Sequence, residues 1–169
     1  DRALLDVRFG STSEASTMTE ATSALVQMID HRRSHRGELI GIATGFKGLD
    51  EHTFGWRRTN LVILASRPSV GKSALLMNTA TAAAKAGAKV AIFSLEMSRE
   101  EIWQRQLSSV SQIPLTRLEG GFFSDQEYPA MSQALETMHG LPIRIIDTPG
   151  QTIQHIRHAC RRLQNEHGL

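Results

Sequence analysis

A chain of 169 residues with 40% hydrophobic and 21% charged residues is long enough for one domain with its own core, and reads as a globular, soluble protein. Net charge is +2, and 15 of the 19 basic residues are Arg, a balance that leans toward a polyanionic partner without requiring one. No stretch is long and apolar enough to cross a bilayer, the single Cys160 excludes an internal disulfide and fits a reducing, cytoplasmic compartment, and no His, Cys, Asp and Glu cluster has metal-ligand spacing.

The chain opens at Asp1 without Met or a secretory leader, which reads as a fragment or a processed chain. Residues 1–16 are polar, carry Gly10-Ser11-Thr12-Ser13, and are expected to form a flexible lead-in. Thr17-Met18-Thr19-Glu20 has the form of a capping box, in which Thr17 caps the first amides and Glu20 reaches back. Ala21, Ala24, Leu25, Met28 and Ile29 follow at helical spacing, and His31-Arg32-Arg33 suits the negative end of that helix. The apolar stripe requires a partner, either the helix's own domain or a neighbouring subunit.

Residues 42–60 form an approach segment with Gly45, Gly48 and Gly55. Leu61-Val62-Ile63-Leu64-Ala65 is an apolar run expected to be the first buried strand. A helix is expected over 72–86, ended by Gly87, and a second strand over 90–95. Ser98-Arg99-Glu100-Glu101 is a second capping box, opening a helix with Ile102, Trp103, Leu107 and Val110 inward. Ser124-Asp125-Gln126-Glu127 has the form of a third, with Tyr128, Met131, Leu135 and Met138 on one face behind it. Residues 143–146 read as a strand, and Thr152 caps a last helix with Ile153, Ile156, Cys160 and Leu163 inward. Alternating strands and helices predict an α/β fold with a largely parallel sheet.

The segment Ser66-Arg67-Pro68-Ser69-Val70-Gly71-Lys72-Ser73-Ala74 carries the strongest chemical signal. An apolar strand, a tight loop ending Gly-Lys-Ser and a helix make the arrangement that cradles nucleotide phosphates. Loop and first-turn N–H groups face the anion, Lys72 adds a point charge, and the Ser73 hydroxyl suits Mg²⁺. Ser66 stands where that motif has its first glycine.

In an open parallel sheet, ligands bind beyond the carboxyl ends of the strands. Glu96 follows the second strand and Asp147 the third. Glu96 is either a general base that takes a proton from an attacking water or a solvated carboxylate in a turn. Asp147-Thr148-Pro149-Gly150 matches a GTPase switch motif, but it lies far along the chain from Lys72 and no Asn-Lys-x-Asp motif accompanies it, which favours a plain polar turn. Arg57 and Arg58 beside Trp56, and the basic run from His31 to Arg36, are better read as solvated charges than as contacts to nucleic-acid phosphates. Cys160 sits on an apolar face and reads as a small buried hydrophobe.

Thr44-Gly45-Phe46-Lys47-Gly48-Leu49-Asp50, then Arg67-Pro68-Ser69-Val70-Gly71-Lys72-Ser73, then Phe93-Ser94-Leu95-Glu96-Met97 resemble, in order and spacing, the RecA-like motor domain of DnaB-type replicative helicases. The resemblance covers residues 17–169. It implies a RecA-like P-loop fold that uses ATP and Mg²⁺, with residues 17–36 as a linker helix closing a homo-hexamer. Residues 37–169 correspond to the N-terminal portion of the ATPase domain, incomplete on its C-terminal side. Lys72 and Ser73 take the phosphate and metal roles, Glu96 matches the general base, and Arg105 falls where the family also has arginine, with a structural role expected. Ser66 agrees with the small non-glycine residue this family often has there, and Asp147 matches an acidic strand end with no switch role. Single-stranded DNA, primase and a helicase loader become the implied partners, with no membrane. The second magnesium-organising carboxylate, the DNA-binding loops and the arginine finger would follow Leu169, so unwinding by these residues alone is not expected. Two alternatives stand beside this reading: a RecA- or RadA-like repair ATPase, and a truncated, non-catalytic nucleotide-binding or ring-interaction module.

Overall fold

A computed structural model describes residues 17–58 and 60–168. The expected lead-in, residues 1–16, lies outside the described residues. The chain divides into two units between Glu38 and Leu39.

The first unit contains helix α1 (Met18–Ser34). Its capping box forms as read: the Thr17 N–H donates to Glu20 Oε2 at 2.8 Å, and the Glu20 N–H donates to Thr17 Oγ1 at 3.4 Å. None of its residues is buried, and Leu25, Met28 and Ile29 of the expected stripe stay exposed.

The second unit begins with a short antiparallel bridge between Ile42 and Trp56. Inside that loop lies helix α2 (Lys47–Thr53), where sequence reading expected only an approach segment. Thr44 is fully buried, and its N–H donates to Asp50 Oδ1 at 2.9 Å, which ties the turn to α2. Gly45 has φ +85°, and a Cβ there would lie 2.5 Å from Ala82 Cβ, so only glycine lets this turn rest on the following helix.

Helix α3 (Lys72–Lys85) is followed by strand β1 (Val90–Phe93), helices α4 (Arg99–Ser111), α5 (Leu115–Gly120) and α6 (Tyr128–His139), strand β2 (Ile143–Ile146) and helix α7 (Ile153–His167). β1 and β2 pair in parallel, with Val90 opposite Ile143 and Phe93 opposite Ile146. The crossover through α4, α5 and α6 is what a parallel pair requires. The core joins Met77, Ala80 and Ala84 of α3 to Ile92, Ile102 and Ile143, with Trp103 and Met97 packed against them. Alanines on the inner face of α3 let the helix approach the strands closely. Lys89 Nζ donates to the His167 carbonyl at 2.6 Å, fastening the end of α7 beside the start of β1.

Several expectations need correction. The run Leu61–Ala65 lies outside any strand, with Leu61 and Ile63 80% or more exposed. A strand exists only through its ladder, and no strand among the described residues pairs with this run. The box at Ser124 does not open a helix. Glu127 still reaches back to the Ser124 N–H at 2.7 Å, but the segment is a turn and α6 starts at Tyr128. Pro129 explains the shift: in a helix begun at Asp125 its ring would clash with the Asp125 carbonyl, whereas in the first turn of α6 its missing N–H is not needed. Ile153, expected inside, is exposed, as are Tyr128 and Leu135 of the expected one-sided face, while Leu163 is buried as expected and Ala134 is buried on α6. Cys160 is half-buried. The strand expected over 90–95 ends at Phe93, and α5 was not anticipated.

Candidate nucleotide site

The loop from Ser66 to Gly71 turns the chain into α3. Gly71 is the N-cap residue, with φ +101°, a left-handed conformation open to glycine without steric penalty. Ser69 also has positive φ, at +64°. No side chain caps α3, and the first α-helical bond into Gly71 comes from the Leu75 N–H at 3.0 Å. The N–H groups of Lys72, Ser73 and Ala74 therefore sit at the positive end of the helix without side-chain caps, the setting that attracts an anion. Ser66 through Ala74 are all exposed, and the Ser66 hydroxyl donates to the Arg67 carbonyl at 3.2 Å.

At the tip of β1 a tight turn carries Glu96. Ser94 shapes it: its N–H donates to the Ile146 carbonyl at 2.9 Å, while its hydroxyl donates to the Met97 carbonyl at 2.7 Å and accepts from the Met97 N–H at 3.1 Å. One residue thus joins the sheet, through its backbone N–H, to the turn that presents Glu96, through its hydroxyl. Sequence reading quoted Ser94 only as part of a motif and missed this function.

A cavity of about 240 Å³ opens between α3 and this turn, and Lys72, Ser73 and Glu96 line it together with Ser94, Met77 and Ile102. The structure therefore gathers the lysine, the hydroxyl and the carboxylate that sequence reading singled out. Ser66, Arg67, Pro68, Ser69, Val70 and Gly71 do not line it. Ala74 lines a smaller adjoining space of about 120 Å³, with Ser73, Arg105 and Gln106. Behind this wall Gln106 is buried and donates from Nε2 to Thr81 Oγ1 at 2.8 Å, a link between α4 and α3 that no motif announced.

Asp147 stands at the tip of β2, on the same edge as Glu96, because the strands run parallel and in register. It is engaged elsewhere: its Oδ2 accepts from the Arg99 N–H at 2.9 Å, and its Oδ1 lies 3.0 Å from Arg99 Nη2. The backbone N–H of Arg99 is the main cause holding this carboxyl below its ordinary range; burial opposes it and the guanidinium assists. Arg57 lies over the Phe54 ring at 5.9 Å, and His31 stacks on His35 at 4.2 Å. No group of three or more His, Cys, Asp or Glu among the described residues could hold a metal ion, and no helix among them is long and apolar enough to cross a membrane.

A parallel α/β unit with a Gly-Lys-Ser loop at one helix start and a carboxylate at the neighbouring strand tip has the RecA-like architecture. Comparison with known proteins agrees. A solved ATPase domain superposes with a TM-score of 0.82 at 27% identity, covering 90% of this chain and 54% of that one. The solved structure of a DnaB-like replicative helicase and its interactions with primase superposes at 0.78 and 26% identity, covering 98% of this chain and 39% of the other. Replicative DNA helicase DnaC of Bacillus subtilis is 39% identical over 142 residues, 83% of this chain. The family model of the DnaB-like helicase C-terminal domain matches residues 41–169. The chain belongs to the DnaB-like helicase C-terminal domain family. It spans about a third of the length of the Bacillus subtilis relative, 31%.

Proposed function

We propose that this chain supplies the nucleotide-binding part of an ATP-driven replicative DNA helicase. The observation that carries the reading is that Lys72, Ser73 and Glu96 line one cavity together. The triphosphate is received by the loop Ser66–Gly71, by the N–H groups of residues 72–74 and by the Lys72 ammonium. Glu96 orients a water and accepts its proton as the water oxygen attacks the terminal phosphorus. The bond from that phosphorus to the bridging oxygen breaks, and ADP leaves with the electron pair. Lys72 neutralises charge that builds on the phosphoryl oxygens.

The donor set fits Mg²⁺ held largely by the nucleotide: the chain offers the Ser73 hydroxyl, and phosphate oxygens with water would complete the shell. Bound there, Mg²⁺ would supply charge neutralisation for the phosphates. Hydrolysis would drive movement along single-stranded DNA in the cytoplasm. The exposed apolar residues of α1 support a linker helix that docks on an adjacent subunit of a homo-hexamer. Primase belongs among the proposed partners because a structurally similar helicase is described with it, and a helicase loader is proposed beside it. Membership of the DnaB-like family favours this reading over a repair-type ATPase.

The test uses the full-length protein. Lys72→Ala should weaken binding of a fluorescent triphosphate analogue by roughly 10–100-fold, as expected for losing a charge-assisted contact. Glu96→Gln should bind the analogue within a few-fold of wild type and lose roughly 10²–10⁴ in hydrolysis rate. Undiminished affinity in the first variant, or undiminished hydrolysis in the second, would contradict the assignment. Hydrolysis by neither wild type nor variants, with binding retained, would instead support a non-catalytic module.

A further inference from the structure

We propose that Asp147 is a positioning residue for hydrolysis: by clamping Arg99 at the start of α4, it fixes the turn that carries Glu96. The inference rests on the function proposed above. Nothing in the reaction as described uses Asp147, yet it stands on the same sheet edge as Glu96 and its side chain is only 14% exposed. Both its oxygens are committed to one residue. Oδ2 accepts from the Arg99 backbone N–H at 2.9 Å and faces Arg99 Nε at 3.4 Å, while Oδ1 meets Nη2 at 3.0 Å.

Arg99 is the first residue of α4, and only Met97 and Ser98 separate it from Glu96. Both of these are anchored too: Met97 through the Ser94 hydroxyl, and Ser98 through its N–H to Glu101 Oε2 at 2.9 Å. Leu95 and Glu96 therefore span a gap between two fixed points. The Ser94 hydroxyl ties both ends of that gap together through Met97, and Asp147 fastens the start of α4 that follows to the tip of β2, which sets where the closed turn points. A general base works only when its oxygen lies within hydrogen-bond reach of the attacking water, so a turn released at one end loses rate before it loses affinity. The phosphate loop and Lys72 reach the site from α3 and do not depend on this clamp.

Steady-state kinetics on the full-length protein test the proposal, with triphosphate affinity and melting temperature measured on the same samples. Asp147→Ala should lower kcat by roughly 10–100-fold with KM and analogue affinity within a few-fold of wild type. Arg99→Pro should reproduce that loss, because proline is accommodated at the first helical position while lacking both the N–H and the guanidinium. Ser98 already has the extended backbone, at ψ 159°, that a following proline favours. Arg99→Ala, which keeps the N–H bond, should be milder, and Asp147→Asn, which keeps an acceptor for it, should restore most of kcat. Full-speed turnover in Asp147→Ala and Arg99→Pro would overturn the proposal. So would an equal fall in analogue affinity, which would place Asp147 on the nucleotide itself. If Asp147→Ala fails to fold, Arg99→Pro decides; loss of folding in both would make the clamp purely structural and overturn the inference. Glu96→Gln, assayed in parallel, separates the two claims. Activity retained there sinks the general-base reading, whereas its loss beside unimpaired clamp variants sinks only this one.

Discussion

Gly71 and Gly45 have similar backbone angles, φ +101° and +85°, and different surroundings. Beyond the adjoining backbone, no atom lies within 4 Å of where a Cβ on Gly71 would sit, so Gly71→Ala carries only the left-handed penalty, roughly 1–2 kcal/mol. At Gly45 the same penalty is joined by a clash with Ala82 Cβ at 2.5 Å, on the wall that positions α3. Gly45→Ala should therefore destabilise the fold more than Gly71→Ala in urea denaturation, while Gly71→Ala should be the one that weakens triphosphate binding. The reverse order in both measurements would contradict this account of the loop. Both glycines stand in motifs visible in the sequence, but their different costs are not visible there. The cost at Gly45 depends on Ala82, 37 positions along the chain on another element. Asp147 was hidden for the same reason, because Arg99 lies 48 positions away, and the bond from the Ser94 N–H to Ile146 exists only once β1 and β2 are paired.

Helix starts marked by a side-chain cap were legible at Thr17, Ser98 and Thr152. The boxes at Thr17 and Ser98 form with both reciprocal bonds, and Thr152 accepts from the His155 N–H at 3.3 Å. At Ser124 the box is overridden by Pro129, which keeps the helix from starting before Tyr128, and short helices such as α2 and α5 carry too little periodicity to stand out. The Ser124 turn keeps a strong local signature in Glu127. The Ser124 N–H, chiefly, lowers its pKa; burial opposes, and the Ser124 hydroxyl and Arg117, 2.7 Å from Oε1, add to the lowering. A carboxyl lowered in the folded state contributes stability that is present above the unfolded carboxylate range, about 4.3, and is lost as pH falls through the folded value. The wild type should thus lose stability below about pH 4 more steeply than Glu127→Gln, read as the pH dependence of the urea midpoint. Parallel acid limbs for the two proteins would show that the turn contributes nothing.

For the molecule as a whole, three separated sequence segments carried the family resemblance, and the family model now matches residues 41–169. The parallel strand pair and the helices around it followed from alternation of apolar runs and capping signals. The first strand did not, because an apolar run reports what a segment could bury and not which neighbour will pair with it. Leu61, Val62, Ile63 and Leu64 remain exposed for want of that neighbour among the described residues. The meeting of Lys72, Ser73 and Glu96 in one cavity was anticipated from the rule that ligands bind beyond the carboxyl ends of parallel strands. A structure of the full-length protein with a non-hydrolysable ATP analogue and Mg²⁺ tests that meeting most directly. The terminal phosphate should contact Lys72 and lie on the Glu96 side of the cavity, with the Ser73 hydroxyl on the metal. An analogue seated instead in the roomier space of about 460 Å³ beside Phe46, Asn78 and Lys85, with Lys72 and Glu96 untouched, would contradict the account.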